Sequence, residues 1–458
     1  MKYSKKEIHR KSFSLPEIAF EHQRLTSFSG IIALQQLFKI LNLKNRLKKC
    51  FQHIKIHPIY GFANTIILLI VHLTLGYRRI KDLKYYEHDP LVRRVAGLSR
   101  LPDPSSISRI LASTDEKSFS KCRDMNSEIV LDRIETEHLN RITADFDGLV
   151  QSTKRHAEQT AVGFNKKKKG ARSYYPLNCT IAQTGQVLDF LHRPGNVHDS
   201  NGAVEFVERC FEKISQRLPL ATLESRLDGA FFSQQMVELF EERNVEFTIS
   251  VPFLRMTVLK SMVEERQRWI PIDEDTSYFE KMWKPDKWND MFRFIFVRTV
   301  NKIQVKEAIQ LELFYPCEYE YAYKVIVTNK HSSANNVITY HNGRGSQEGI
   351  FAELKSQIQM DYIPFKRLLP NKLFMLSSVL AHNITNEMQM IISPKMQSTT
   401  FKRATLWTFQ KIDTIRKNIF IRAGRITKPQ RHLTLTISAG KKIAEEFKTF
   451  FEALKKAA

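Results

Sequence analysis

Three acidic residues stand where they could do chemistry together: Asp147 in "RITADFDGLV", Asp228 in "TLESRLDGAFF" and Glu348 in "TYHNGRGSQEGIFAELKSQI". The first two fall on strand-like alternation and the third on a helix-like stretch. A carboxylate on a central strand loses several kcal/mol of solvation unless it is paired or metal-bound. Two or three that converge on one sheet edge can hold a pair of hard divalent cations. Such a pair clamps the attacking and leaving oxygens of a phosphoryl displacement. Asp145 shares the strand face of Asp147 and is either a further ligand or a structural capping group. Around Glu348, Arg344 lies one turn before it and Lys355 about two turns after, so the three share one stripe. Ile350, Phe351, Leu354 and Ile358 form a separate packing face. The plain alternative is a solvated ladder worth a few tenths of a kcal/mol per pair.

These residues need elements to position them. Residues 1–140 read as a helical unit, and "LPDPSSISRILAS" suits either the entry to a helix-turn-helix carrying Arg109 or one helix of a plain bundle. From Arg141 the period changes to three strands, helix, strand, helix, strand over residues 141–252, the order of an α/β sheet flanked by helices. Residues 253–334 read as a β-rich insertion, with "DMFRFIFVRTV", "IQLELFYP" and "YAYKVIVTN" strand-like and Trp269, Trp283 and Trp288 inside it. Residues 335–400 resume the core with long helices, and 401–458 form a C-terminal helical region ending in "FKTFFEALKKA", a dimer helix or a plain end helix.

The bulk figures narrow the partners. A formal charge of +23 over 458 residues attracts a polyanion at long range, and nucleic acid is favoured over a membrane surface because no lipidation motif or basic amphipathic anchor stands out. The longest apolar run, "IILLIVHLTL", is too short to span a bilayer and predicts a core helix. Five cysteines, Cys50, Cys122, Cys179, Cys210 and Cys317, show no Cys-x-x-Cys pairing, which predicts a reducing compartment and neither zinc nor a disulfide framework.

Taken in order, Asp147, Asp228 and Glu348, with a β-rich insertion before the glutamate and Tyr340, Arg344 and Lys355 around it, resemble a DDE-type bacterial insertion-sequence transposase. More particularly they resemble the group with the Tyr-Arg-Glu-Lys signature. "GFNKKKKGARSYYPL", "HRPGNVHDS", "YKVIVTN" and "RGSQEGIFAELK" resemble stretches of those enzymes, as does "GYRRIKDLKYYEHDPLV" near the N-terminus. The resemblance implies an α/β fold: a ribonuclease-H-like catalytic core interrupted by the β-rich insertion, with an α-helical N-terminal DNA-binding domain and C-terminal helices. It implies that Asp147, Asp228 and Glu348 are catalytic and bind two Mg²⁺ or Mn²⁺ ions, for hydrolysis and then attack by a DNA 3′-hydroxyl. Arg344 and Lys355 would hold DNA phosphates, and Tyr340 would bond a phosphate or stack on a base. Lys166, Lys167, Lys168 and Lys169 with Arg172 would form a backbone clamp, a solvated loop being the plain alternative. His192 and His198 read as structural. The implied partners are double-stranded DNA, as terminal inverted repeats and target, and a second copy in a homodimeric synaptic complex; no membrane is implied, and the setting is the bacterial cytoplasm at the nucleoid. The alternatives are a catalytically inactive transposase-derived DNA-binding protein and a metal-dependent nuclease without strand transfer. The sequence departs from the pattern at Gly148-Leu149, where small hydroxyl residues are usual, at Gly229-Ala230, where Ser-Gly is usual, and at Gly349, where asparagine is expected. Three residues rather than two also separate Tyr340 from Arg344.

Overall fold

The structure is a computed structural model that describes residues 15–457 apart from 22, 56–57, 164, 166–167, 199, 302–320, 394 and 396–402. The expected strand at "IQLELFYP" and Cys317 lie outside the described residues.

The change of period at Arg141 marks the first strand of a nine-stranded mixed sheet. Its strands in chain order are β1 (Arg141–Gly148), β2 (Leu177–Ile181), β3 (Gln186–Leu191), β4 (Thr222–Leu227), β5 (Glu246–Val251), β6 (Ile270–Pro271), β7 (Thr276–Trp283), β8 (Phe292–Val300) and β9 (Tyr321–Thr328). Across the sheet they run β6-β7-β8-β9-β5-β4-β1-β2-β3. β1, β4 and β5 are parallel neighbours, and every other pairing is antiparallel. The β2–β3 turn closes at Gly185, whose φ of +61° lies in the left-handed region that favours glycine. A small separate sheet, Gln151–Thr153, Ala161–Val162 and Arg172–Tyr174, follows β1.

Alternation along the parallel strands makes the sheet two-sided. Ile142, Ala144 and Phe146, with Leu223 and Leu227 and with Phe247 and Ile249, face a core shared with the helices Ala203–Arg217 and Gln234–Glu242. The opposite positions carry Thr143, Asp145 and Asp147, then Glu224 and Arg226, then Glu246, Thr248 and Ser250. The helix Ala334–Asn342 covers this polar side: its Ala334, Val337 and Ile338 pack with Ile295, Val297 and Ile326 on β8 and β9.

The described strands of the β-rich stretch after residue 253 join the large sheet. β9 pairs with β5, so β6 to β9 extend the sheet that holds Asp147. All three tryptophans pack on that extension: Trp269 edge-on to Phe279, Trp283 edge-on to Phe294, and Trp288 edge-on to Phe292 with ring centroids 5.7 Å apart.

The apolar run after Gly61 folds as the helix Phe62–Thr74, with every residue but Asn64 buried. It shares one core with the 25-residue helix Leu368–Ile392 and with Phe351, Leu354 and Ile358. The N-terminal helices and the helix bearing Glu348 are thus held by the same apolar cluster. Among the described residues no helix is long and apolar enough to cross a membrane.

Candidate active site

The parallel pairing of β1 with β4 sets Asp145 opposite Arg226. Continued by two residues, that register brings Asp147 and Asp228 side by side where the strands end, on the polar side of the sheet. Each carboxylate is oriented by the backbone that follows it. Asp147 Oδ1 accepts the Gly148 N–H at 2.7 Å, and Asp228 Oδ1 accepts the Ala230 N–H at 3.0 Å, capping the short turn Gly229–Phe231. Arg344 Nη1 lies 3.8 Å from Asp147 Oδ2. Gln347 fastens the start of the helix Ser346–Ser356 to β1 and β2, donating to the Asp145 carbonyl at 3.0 Å and to Thr180 Oγ1 at 2.9 Å.

Beneath the two aspartates lies a buried charge layer. Arg226 and Asp145, with side chains 0% and 1% exposed, form an ion pair in which Arg226 Nε donates to Asp145 Oδ1 at 2.7 Å. Burial raises the Asp145 carboxyl and the guanidinium opposes the rise. Asp145 is therefore the structural partner of an arginine. Arg226 also donates to the Tyr340 carbonyl at 3.2 Å. One layer further down, Glu224 accepts Lys330 Nζ and Arg141 Nη1, each at 2.7 Å, and Thr143 Oγ1 at 2.9 Å. Burial alone would raise the Glu224 carboxyl, but Lys330 and Arg141 pull it below its ordinary value.

The sequence-predicted residues do not all gather here. Arg344 and Asp147 come together, and Asp228 follows the end of the strand beside that of Asp147. Glu348 lies on the exposed side of its helix, and Lys355 is half-buried on the last turn of that helix. Among the described residues no three His, Cys, Asp or Glu side chains are close enough to hold a metal ion. An arginine, Arg344, faces Asp147 here. Tyr340 points inward and is 4% exposed, its ring 5.2 Å from the Arg226 guanidinium and 4.3 Å from Lys330 Nζ. That placement makes it the cover of the charge layer and leaves no face open to a base.

Lys168 and Lys169 are exposed at the turn before Arg172, whereas Lys166 and Lys167 lie outside the described residues. Arg172 is tied down, its Nε donating to Thr160 Oγ1 at 3.0 Å and its Nη2 to the Thr160 carbonyl. His192 is packed edge-on to Tyr174, and burial pushes it down to about 3. His198 is exposed, with Nδ1 2.9 Å from Ser200 Oγ, on a loop whose carbonyls accept from the buried Arg193.

One of the glycine departures has a steric reason. A Cβ at Gly148 would meet the Tyr175 ring at 2.2 Å, so the space of a hydroxyl side chain is filled by Tyr175, itself stacked on Arg193. A Cβ at Gly229 would make only ordinary contacts, and one at Gly349 would meet nothing within 4 Å. Nothing in the structure requires glycine at 349.

Sequence reading missed Arg226 and Gln347, the two residues that lock Asp145 and the helix start. The signal for Arg226 was present in "TLESRLDG", where alternation puts it on the face of Asp228. For Gln347, local spacing holds no such signal.

No curated protein matches the chain. Among solved structures, the chain is similar to the piggyBac transposase synaptic complex with hairpin DNA at 10% identity and a TM-score of 0.45, covering 86% of this chain and 79% of that one. It is also similar to the Mos1 transposase paired-end complex with left transposon end at 12% identity and a TM-score of 0.18, covering 37% of this chain and 57% of that one. Residues 12–458 match the family model described as transposase DDE domain group 1. As the order Asp147, Asp228, Glu348 suggested, the chain belongs to that family, the DDE transposases, which are enzymes of DNA transposition.

Proposed function

We propose that this transposase works by cut-and-paste, with Asp147, Asp228 and Glu348 as its catalytic carboxylates, on double-stranded DNA at the element's terminal inverted repeats and then at a target. The observation that supports the assignment is the β1–β4 register, which if continued by two residues puts Asp147 and Asp228 at adjacent parallel strand ends above a neutralised charge layer. The order β3-β2-β1-β4-β5, with β2 alone antiparallel among β1, β2, β4 and β5, supports reading this part of the sheet as a ribonuclease-H-like core. The helical residues 1–140, with exposed Lys44, Lys48 and Lys49 on the helix Leu43–Phe51, are read as the part that grips DNA ends. Joining two ends in one event needs two sites, so the acting form is read as a homodimer. Its setting is read as the bacterial nucleoid.

The strand ends offer the carboxylate oxygens of Asp147 and Asp228, donors that suit Mg²⁺ or Mn²⁺ in chemistry, and the reading assigns Glu348 as the third acid. When bound, such ions supply an activated water or 3′-hydroxyl and stabilise the leaving oxygen. The chain's own residues supply position. The backbone N–H groups of Gly148 and Ala230 aim the two aspartates, Gln347 anchors the helix that carries Glu348, and Arg344 provides a cation 3.8 Å from Asp147. On substrate binding Arg344 holds a DNA phosphate as a fork. Tyr340 positions this set by covering Arg226.

The test uses the whole chain with Mn²⁺ and duplex DNA from the two flanks of its own gene, mapping new 3′ ends, beside Asp228→Ala. Cleavage at a fixed repeat boundary by wild type, lost in the variant with DNA binding retained, is the expected result. Binding without cleavage by folded wild type would establish the inactive DNA-binding reading instead, which the exposed position of Glu348 favours. Cleavage without joining would establish the nuclease.

A further inference from the structure

From this geometry we infer that Lys324 binds a DNA phosphate next to the one being cut, as one wall of a groove that opens beside Asp228. The inference rests on the catalytic reading above and adds a residue to it. Lys324 lies on β9 on the same side of the sheet as Ile326 and Thr328, which pair with Ser250 and Thr248 on the polar side. Its side chain thus points toward the site rather than into the apolar core.

Three observations converge on this residue. Lys324 Nζ donates to Asn342 Oδ1 at 3.0 Å, and Asn342 stands two residues before Arg344, the cation facing Asp147. Lys324 also lines a groove of about 640 Å³ whose walls include Gly229 and Ala230, the two residues that follow Asp228, together with Phe253, Tyr323 and Arg255. A strand lying in that groove would pass directly from Lys324 to the end of β4. Finally, no acid among the described residues forms an ion pair with Lys324, whereas other half-buried and buried cations on the polar side of the sheet, Arg141, Arg226 and Lys330, each have one.

That last contrast is a matter of energy. An ammonium half-withdrawn from water beside a second cation is disfavoured, and burial with Arg344 holds Lys324 down to about 8. A phosphate anion placed between Lys324 and Arg344 would reverse that penalty, and a strongly hydrated point charge suits a single phosphate oxygen. Asn342 accepts one of the three ammonium hydrogens and leaves the other two for a ligand.

The experiment measures how the affinity for a gene-flank duplex depends on salt, without divalent ions, for wild type, Lys324→Gln, Lys324→Arg and Asn342→Ala, each checked for an unchanged melting temperature. One phosphate contact contributes about −0.9 to the slope of log K against log salt. Lys324→Gln is expected to reduce the slope by about one unit, Lys324→Arg to restore it, and Asn342→Ala to leave it as in wild type. An unchanged slope for Lys324→Gln overturns the inference. So does an equal drop for Asn342→Ala, which would trace the effect to the lost internal hydrogen bond. With Mn²⁺, Lys324→Gln is expected to slow strand cleavage roughly 10- to 100-fold, the size of a lost charge-assisted hydrogen bond. Cleavage by wild type with no change of slope in Lys324→Gln removes this inference and leaves the catalytic reading. No cleavage by wild type removes the catalytic reading, and the slope still decides Lys324.

Discussion

The charge layer under the aspartates makes a quantitative claim about Asp145. Its side chain is 1% exposed and the partner Arg226 is 0% exposed, so Asp145→Asn would leave a guanidinium buried with no countercharge within its own pair. Breaking a buried pair from one side costs about 3–5 kcal/mol. At about 2.1 cal/mol/K of unfolding entropy per residue, a 458-residue chain that melts as one unit loses roughly 1 °C per kcal/mol, so Asp145→Asn should melt about 3–5 °C lower. Arg226→Met should lose a similar amount, because it strands the carboxylate. The double variant Asp145→Leu/Arg226→Met should lose less than either single change, since both charges leave together and apolar groups fill the space. Melting curves without divalent ions, on the four proteins, read all of this. A single variant within about 1 °C of wild type, or a double variant whose loss equals the two single losses added, would refute the reasoning and return Asp145 to the list of possible metal ligands.

Other consequences are simpler to state. His72 is 0% exposed and burial pushes it down to about 4 from an ordinary value near 6.5; His341, likewise buried between Thr248 and Ser250, is held well below that value. The unfolded chain binds these protons and the folded chain does not, so stability is full above about pH 6.5 and falls as pH drops toward 4, by about 1.4 kcal/mol per pH unit per histidine. Urea midpoints across that range should show the slope of His72→Phe reduced by one proton, and an unchanged slope would contradict the assignment. Gly148→Ser should cost about 1–3 kcal/mol by driving the Tyr175 ring off Arg193, and Tyr175→Ala in the same chain should recover part of it. By contrast, Gly349→Ala, on an open helical position, should gain about 0.5–1 kcal/mol; a loss there would mean that the position meets something beyond this chain.

Much of the polar side of the sheet was legible in one dimension. Alternation in "RITADFDGLV" and "TLESRLDG" separates Asp145, Asp147, Arg226 and Asp228 from the apolar positions between them, because a strand's side chains alternate with period two whatever the strand pairs with. The core helix at Phe62–Thr74 and the packing face of Phe351, Leu354 and Ile358 follow in the same way from local periodicity. The order of the carboxylates and the family they indicate were also readable, since chemistry restricts residue type.

What no local pattern carries is which strands become neighbours. β1 and β4 meet across about 80 residues, and only the match of their faces sets Asp145 against Arg226 and Asp147 beside Asp228. The same long-range pairing joins β6 to β9 to the sheet that holds Asp147. Burial then decided roles that spacing had left open or assigned outward: Tyr340, read from sequence as a DNA contact, is turned inward over a buried arginine, and Asp145 is taken up by that arginine. By itself, then, the sequence determined which residues could do the chemistry and on which face of each element they lie. The tertiary structure alone decided which of them meet, because desolvating a charge is tolerable only where a partner from elsewhere in the chain neutralises it.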